Sequence, residues 1–133
     1  MFGQQARLCA RNWQQENSLQ PPGVFDLISA RIAAPLGFPA LYMTGYGLSP
    51  PPFGLPDAGL PGYSDMVEGV WAGIASATGT PLIAGAGTGY GGLLNVDHTG
   101  AGVSNRPGQG IQLEDQLSPK KCGPYTRSPG DTL

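Results

Sequence analysis

The sequence predicts an α/β fold built around a parallel sheet. From residue 24 onward, segments with helical spacing alternate with short apolar runs, in the order helix, strand, helix, strand, irregular segment, strand. Such alternation is typical of parallel strands joined by right-handed crossovers. Glycine-rich or polar residues follow each apolar run, and in these folds the chemistry gathers at the carboxyl ends of the strands.

The first helix is predicted over residues 24–34. Phe25, Ile28 and Ile32 have the spacing of one apolar helical face, and a proline and a glycine shortly after them end the helix. Residues 40–43 are the first strand candidate, because they form a short apolar run.

The second helix is predicted to begin at Ser64, whose side chain would cap it, and to end at Gly79. Residues 81–84 and 110–113 are the second and third strand candidates, and the third leads directly into acidic residues. The apolar residues predicted for the inner side of the second helix are Met66, Val67, Val70, Trp71 and Ile74.

Residues 98–109 interrupt the alternation, because they contain few helix-forming residues. Each glycine costs a helix about 1 kcal/mol and an interior proline about 3 kcal/mol relative to alanine, so the four breakers together cost roughly 6 kcal/mol. They are Gly100, Gly102, Pro107 and Gly108. We therefore predict that this one crossover helix is disrupted.

A glycine-rich segment over residues 87–92 matches the dinucleotide-binding pattern G-x-G-x-x-G. A pyrophosphate site of this kind needs a helix N-terminus directly after the loop. The sequence does not predict a helix there, and the loop does not follow the first strand candidate. A nucleotide site is therefore not favoured, and the alternative is a metal-binding loop that has lost its ligands.

Five motifs cover most of the chain: PGVFDLISARI (22–32), GFPALYMTGYG (37–47), GLPDAGL (54–60), TGYGGLLNV (88–96) and IQLEDQLSPKKCG (111–123). In order and spacing they resemble the isocitrate lyase/phosphoenolpyruvate mutase superfamily, in particular its 2-methylisocitrate lyase-like members. The resemblance covers residues 20–123, and residues 124–133 form an unrelated tail. It implies a (β/α)8 TIM-type barrel, of which residues 1–133 would form the N-terminal half as one partial domain.

The resemblance also implies a chemistry. Family members bind Mg²⁺ and a small 2-oxo or hydroxy carboxylic acid, and they act through an enolate or phosphoryl intermediate held on the metal. A hard divalent cation suits this role because it takes oxygen ligands and stabilises negative charge. By this resemblance Thr44, Gly45 and Tyr46 bind the substrate, whereas Asp57 and Glu114 are metal residues.

The catalytic residues implied by the resemblance are Cys122 and Lys121, which lie in a loop similar to the one that delivers a proton to the enolate in the lyases. A neighbouring lysine favours the thiolate form of the cysteine and would support this role. The alternative for Cys122 is a solvated free thiol without a function.

Several residues depart from the family pattern. The family metal motif reads Asp-Ala-Asp-Thr-Gly-Tyr-Gly, whereas this chain has Gly85 and Gly87 at the two acidic positions. Pro124 stands in place of the usual histidine, and the family pattern stops after Gly123. By this resemblance we expect the chain to lack half of the barrel. We therefore expect Mg²⁺ binding to be lost.

Two hypotheses follow for the function. In the first, the chain is a carbon–carbon lyase acting on 2-methylisocitrate- or oxaloacetate-like acids, with activity weakened or lost. In the second, it is a catalytically dead fragment that serves as an interaction partner of a full-length paralogue. Homo-oligomerisation also stays open, because a half barrel leaves sheet edges and an apolar face uncovered.

Composition excludes other classes of partner. The 133 residues carry a net charge of −2 and no basic run, which argues against nucleic acid. No apolar stretch reaches the roughly 18 residues that a membrane span needs, and the N-terminus lacks the apolar core of a secretory signal. We predict a cytoplasmic location, with a mitochondrial one as the alternative.

Overall fold

The computed structural model describes residues 20–45, 59–104, 109–117 and 120 of the chain. In this part of the chain, four parallel strands form one sheet in the order β1-β2-β3-β4, so that neighbours in sequence are neighbours in space. The predicted parallel α/β fold is confirmed. The strands are β1 (Gly23–Val24), β2 (Leu41–Met43), β3 (Leu82–Gly85) and β4 (Gln109–Gln112).

A helix connects each strand to the next. Helix α1 (Leu27–Ala33) continues into a 3-10 turn (Ala34–Leu36). Helix α2 has π-helical hydrogen bonding over Ser64–Trp71 and α-helical hydrogen bonding over Ala72–Ala77. Helix α3 is formed by Leu93–Ser104.

Helix α1 begins later than predicted, because Asp26 caps it. The Asp26 carboxylate accepts a hydrogen bond from the Ser29 amide at 2.7 Å, and the Ser29 hydroxyl accepts one from the Asp26 amide at 3.1 Å. Hydrogen bonds to the Asp26 carboxylate from the side chain and then from the backbone amide of Ser29 hold the pKa of Asp26 below its usual value of 3.8. The extended residues before the cap, Gly23–Val24, pair with β2 as strand β1 instead of opening the helix.

The predicted apolar face of α1 does not face the core. Phe25, Ile28 and Ile32 are 42%, 70% and 65% exposed, whereas Ala30 and Ala33 are buried. Small side chains let the helix lie close to the sheet, and this close contact decides which face is buried. The i, i+3, i+7 spacing identifies an apolar face, but in the structure this face is exposed.

Helix α2 supplies the largest part of the core, as the sequence predicts. Its buried residues include Met66, Val67, Trp71 and Ile74, and the side chain of Val70 lies outside the described part. The predicted Ser64 cap is wrong, because the Asp65 carboxylate instead accepts a hydrogen bond from the Gly62 amide at 2.9 Å.

The sheet buries the side that faces the helices. On this side lie Leu41 and Met43 of β2 and Leu82 and Ala84 of β3, all of which are buried. Since side chains alternate along a strand, Tyr42 and the other intervening residues point to the opposite side. No helix in the described part of the chain is long and apolar enough to span a membrane.

The prediction of an irregular segment over residues 98–109 is wrong for residues 98–104, which belong to helix α3 (Leu93–Ser104). Thr99 and Val103 are buried on its inner side. The Thr99 hydroxyl donates a hydrogen bond to the Asn95 carbonyl oxygen at 2.7 Å. The same hydroxyl lies 3.2 Å from the Gly89 carbonyl oxygen. Tertiary packing thus outweighs the low helix propensity of two glycines. Residues 105–108, which include the predicted breakers Pro107 and Gly108, lie outside the described part.

Gly102 has a packing role that explains its place in α3. A Cβ atom at this position would lie 2.3 Å from the Tyr63 hydroxyl oxygen. The Tyr63 ring is in turn fixed by Tyr90, with centroids 6.1 Å apart in an edge-to-face arrangement, and by His98 at 4.9 Å. Burial, together with the nearby Tyr63, raises the pKa of Tyr90 to about 12.

The two glycines of α3 offer a matched test of this packing. A Cβ atom added at Gly100 would meet no other atom within 4 Å, so Gly100→Ala should stabilise the fold by up to about 1 kcal/mol through helix propensity. Gly102→Ala should destabilise it by about 1 kcal/mol or more, because it displaces the Tyr63 ring. Urea unfolding measures both changes, and equal effects of the two substitutions would contradict this packing.

Candidate functional site

The carboxyl ends of β2, β3 and β4 meet at one edge of the sheet. Backbone hydrogen bonds extend the pairing beyond the strands: the Ala86 amide donates to the Gln112 carbonyl oxygen at 3.0 Å, and the Glu114 amide donates to that of Gly87 at 2.8 Å. The structure therefore brings together the described residues that the sequence assigned to a site. They are Thr44, Gly45, Gly85, Gly87 and Glu114.

A side chain at Gly85 would be crowded, because its neighbours would have to move by a few tenths of an ångström. A Cβ atom there would lie 3.0 Å from the Met43 carbonyl oxygen, 3.1 Å from the Tyr42 hydroxyl oxygen and 3.3 Å from the Gly45 amide nitrogen. The Tyr42 hydroxyl donates a hydrogen bond to the Gln112 side-chain oxygen. The space beside Gly85 is therefore bordered by the Tyr42 hydroxyl, a neutral group that is hydrogen-bonded to the neutral Gln112 side chain.

Gly87 lies in a position with room for a side chain but with a restrictive backbone. Its φ is +50°, in the left-handed region, which asparagine and aspartate tolerate better than other L-residues. The nearest atom to a Cβ at this position is the Lys120 ammonium nitrogen, at 4.0 Å. A carboxylate added here would therefore meet a positive charge.

Glu114 is paired with Lys120. The Lys120 ammonium donates to the Glu114 carboxylate at 2.9 Å, and the Gln116 amide donates to the second carboxylate oxygen, also at 2.9 Å. The side chain of Lys120 is only 7% exposed and that of Glu114 is 32% exposed. A charge removed from water to this degree needs a compensating partner, and each residue supplies that partner to the other.

The described residues do not fit a magnesium site. A cation of this kind is bound by about six oxygen ligands. Gly85 and Gly87 have no side-chain oxygens, and the Glu114 carboxylate already binds Lys120 and Gln116. Among residues 20–45, 59–104, 109–117 and 120, no group of three or more histidine, cysteine or acidic residues could hold a metal ion.

Four predicted site residues lie outside the described part of the chain, and their roles stay predictions. They are Tyr46, Asp57, Lys121 and Cys122. Conversely, sequence reasoning missed the contributions of Tyr42, Gln112 and Lys120. Strand alternation could have placed Tyr42 and Gln112 on one side of the sheet, whereas no periodic pattern relates Lys120 to Glu114.

The sequence did not predict a helix directly after the glycine-rich loop between β3 and α3, and this expectation is wrong. A helix does begin directly after the glycine segment, with the amides of Asn95 and Val96 donating to the Gly92 carbonyl oxygen at 2.9 and 3.1 Å. The loop nevertheless follows β3, not the first strand of the sheet. That position still argues against the dinucleotide-binding arrangement, in which the loop follows the first strand.

Comparison with known proteins identifies the family. The sequence profile of the family described as phosphoenolpyruvate phosphomutase matches residues 11–129. The chain is 46% identical to 2,3-dimethylmalate lyase of Eubacterium barkeri over 102 aligned residues. The alignment covers 77% of this chain and 35% of that protein. It therefore spans about a third of the length of this relative.

Solved structures agree with this result. Oxaloacetate acetylhydrolase in complex with oxalate aligns with a TM-score of 0.75 at 37% identity, over 91% of this chain and 42% of that one. Phosphonopyruvate hydrolase in complex with oxalate and Mg²⁺ aligns with a TM-score of 0.70 at 27% identity, over 87% of this chain and 41% of that one.

The fold and the family predicted from the motifs are thus both confirmed. The four parallel strands and their helices correspond to part of a TIM-type barrel. Because the family profile covers most of the chain, and because the structural alignments cover about nine tenths of it, the chain belongs to the phosphoenolpyruvate phosphomutase family of the isocitrate lyase superfamily.

Proposed function

We propose that this chain binds a small 2-oxo or hydroxy carboxylic acid at the strand ends, and that the carbon–carbon cleavage of its lineage is lost. The loss of cleavage is supported by one observation, the pair of glycines Gly85 and Gly87. They stand where the family motif has the acidic residues nearest the metal, and the described residues around them do not supply replacements.

The binding half of the proposal is supported by what remains at the strand ends. Thr44 and Gly45 follow β2, and the Gly45 amide lies beside Gly85. Oxaloacetate acetylhydrolase and phosphonopyruvate hydrolase, with which the chain aligns, were solved with the small dicarboxylate oxalate bound. Oxalate is therefore a suitable probe for carboxylate binding by this chain.

The catalytic half follows from the energetics of the enolate. A metal ion that stabilises a developing negative charge contributes several kcal/mol, and about 4 kcal/mol corresponds to roughly a thousandfold in rate. A proton donor such as Cys122 cannot compensate for this loss, because it acts on an enolate that must form first.

The alternative is that the chain is catalytically dead and acts only by binding a full-length paralogue. The exposed apolar residues Ile28, Ile32 and Leu36 are the observation in its favour, since such residues side by side are typical of interaction surfaces. Oxalate binding distinguishes the two hypotheses, because only the proposed function requires it.

Turnover tests the catalytic half. With Mg²⁺ and 2,3-dimethylmalate, 2-methylisocitrate or oxaloacetate, we expect the purified chain to cleave substrate no faster than the reaction without protein. Cys122→Ala should leave this background rate unchanged. Magnesium-dependent cleavage that disappears in Cys122→Ala would contradict the proposal.

Oxalate titration tests the binding half. Thr44→Val removes one hydroxyl and keeps the side-chain volume, so it should weaken oxalate binding by about 1 kcal/mol, or roughly fivefold. Thr78→Val is the matched control, because the Thr78 hydroxyl bonds to the Ile74 carbonyl oxygen at 3.3 Å at the end of α2. Isothermal titration calorimetry measures both. Equal oxalate affinities of Thr44→Val and wild type would show that Thr44 does not bind the carboxylate. A wild type that does not bind oxalate would contradict the proposed function.

A further inference from the structure

We propose that the outer face of helix α3 is a docking surface for a second copy of this chain, whose own α3 packs against it as an antiparallel helix. The outer face of α3 consists of Leu94, Asp97, His98 and Ala101. The inference goes beyond the proposed function and does not depend on it, because none of these residues was assigned to the site at the strand ends.

The outer face is one continuous stripe along α3. Its four residues have the i, i+3, i+4, i+7 spacing of one side of a helix, and all four are exposed. The buried residues Thr99 and Val103 lie on the opposite side. Leu94 is 86% exposed and the preceding Leu93 is 89% exposed. Packing on the sheet therefore leaves two adjacent leucines in water, and a surface of this kind is typical of an interaction site.

The polar residues of the stripe are complementary to each other under two-fold symmetry. In a two-fold contact the same surface of both copies meets, so that residue i contacts residue j and residue j contacts residue i. With the axis between positions 97 and 98 of antiparallel helices, Asp97 of each copy faces His98 of the partner subunit. An imidazole N–H can donate to a carboxylate, so the contact contains two equivalent polar pairs.

The same axis also matches the apolar residues of the stripe. Positions 94 and 101 are equally far from the axis, so Leu94 of each copy faces Ala101 of the partner subunit. A large side chain opposite a small one allows two helices to approach closely and to exclude water. Because both the polar and the apolar residues match themselves in this way, the stripe fits a second copy of the chain.

His98 is already oriented in the single chain. Its ring packs on that of Tyr63 with centroids 4.9 Å apart and the planes tilted by 49°. Tyr63 is in turn in edge-to-face contact with Tyr90. A side chain that is restricted before association loses less conformational entropy when it is bound. The imidazole can therefore meet the carboxylate of a second copy at a lower entropic cost than a freely rotating side chain.

The contact covers only a few helical turns, which places it at the small end of specific interfaces. We therefore expect a reversible dimer whose population rises with protein concentration. Sedimentation equilibrium of the full 133-residue chain measures this association directly. A wild-type chain that stays monomeric at every concentration would overturn the inference.

A matched pair of substitutions tests which surface forms the dimer. Leu94→Gln and Ile28→Gln both place a polar side chain at an exposed apolar position of a helix, the first on α3 and the second on α1. Leu94→Gln should weaken dimerisation at least about tenfold, because each dimer loses two buried leucines. Ile28→Gln should leave it unchanged. A dimer that is weakened by Ile28→Gln and not by Leu94→Gln would refute the α3 interface.

Exchanging the charges tests the antiparallel register. Asp97→Lys places two basic residues opposite each other, and His98→Glu places two acidic residues opposite each other, so each single variant should dimerise more weakly than wild type. The double variant Asp97→Lys/His98→Glu restores opposite charges and should dimerise at least about fivefold more tightly than either single variant. A double variant that dimerises no better than the single variants would contradict this register.

Hydrogen exchange of the wild-type chain gives a result that does not depend on the variants, whose folding circular dichroism verifies. Raising the protein concentration should slow amide exchange in α3 and not in α1, because association opposes local opening of the helix that is bound. Slower exchange in α1 alone would overturn the inference. Oxalate takes no part in these measurements, so the dimer and the proposed function can fail separately.

Discussion

The ion pair between Lys120 and Glu114 determines the electrostatics of the strand ends. Lysine is a costly residue to bury, and the Lys120 side chain is almost removed from water. The carboxylate that compensates it is held in place by the fold, because the Glu114 amide pairs with the Gly87 carbonyl oxygen beyond the end of β4. The sheet thus fixes the acid, and the acid fixes the lysine.

Gly85 and Gly87, at the end of β3, lie in surroundings that disfavour an acidic side chain at either position. At Gly85 the neighbouring strand and the Tyr42 hydroxyl would crowd a side chain, and Tyr42 donates a hydrogen bond to the Gln112 side chain. At Gly87 the ammonium of Lys120 borders the open space. An acidic substitution would therefore crowd its neighbours at Gly85, and at Gly87 it would add a negative charge beside the existing ion pair.

The sequence predicted most of the sheet, because three of its strands are short apolar runs with clear boundaries. It missed β1, which has only two residues, Gly23–Val24, too few to show a period. It predicted the buried residues of α2, but the apolar spacing in α1 did not identify the buried side of that helix, which carries Ala30 and Ala33. Helix α3 was missed for a related reason, since Gly102 makes room for the Tyr63 ring and propensity scales do not include such contacts.

The residues of the site that lie at strand ends were predictable, as the strands themselves were. Strand ends placed Gly85, Gly87 and Glu114 together, because parallel neighbours end at one edge. The partner of Glu114 was not predictable, since neither a strand nor a helix period relates it to a lysine six residues further along the sequence. Tertiary contacts alone determine that Lys120 turns back toward the sheet.

A double-mutant cycle on Lys120→Met and Glu114→Gln tests the central claim most directly, with the free energy of unfolding as the readout. The account predicts that the two substitutions are coupled by about 1 kcal/mol or more, because each single change leaves a partly buried charge without its partner. Additive effects of the two substitutions would show that the ammonium does not compensate the carboxylate, and would contradict this account of the strand ends.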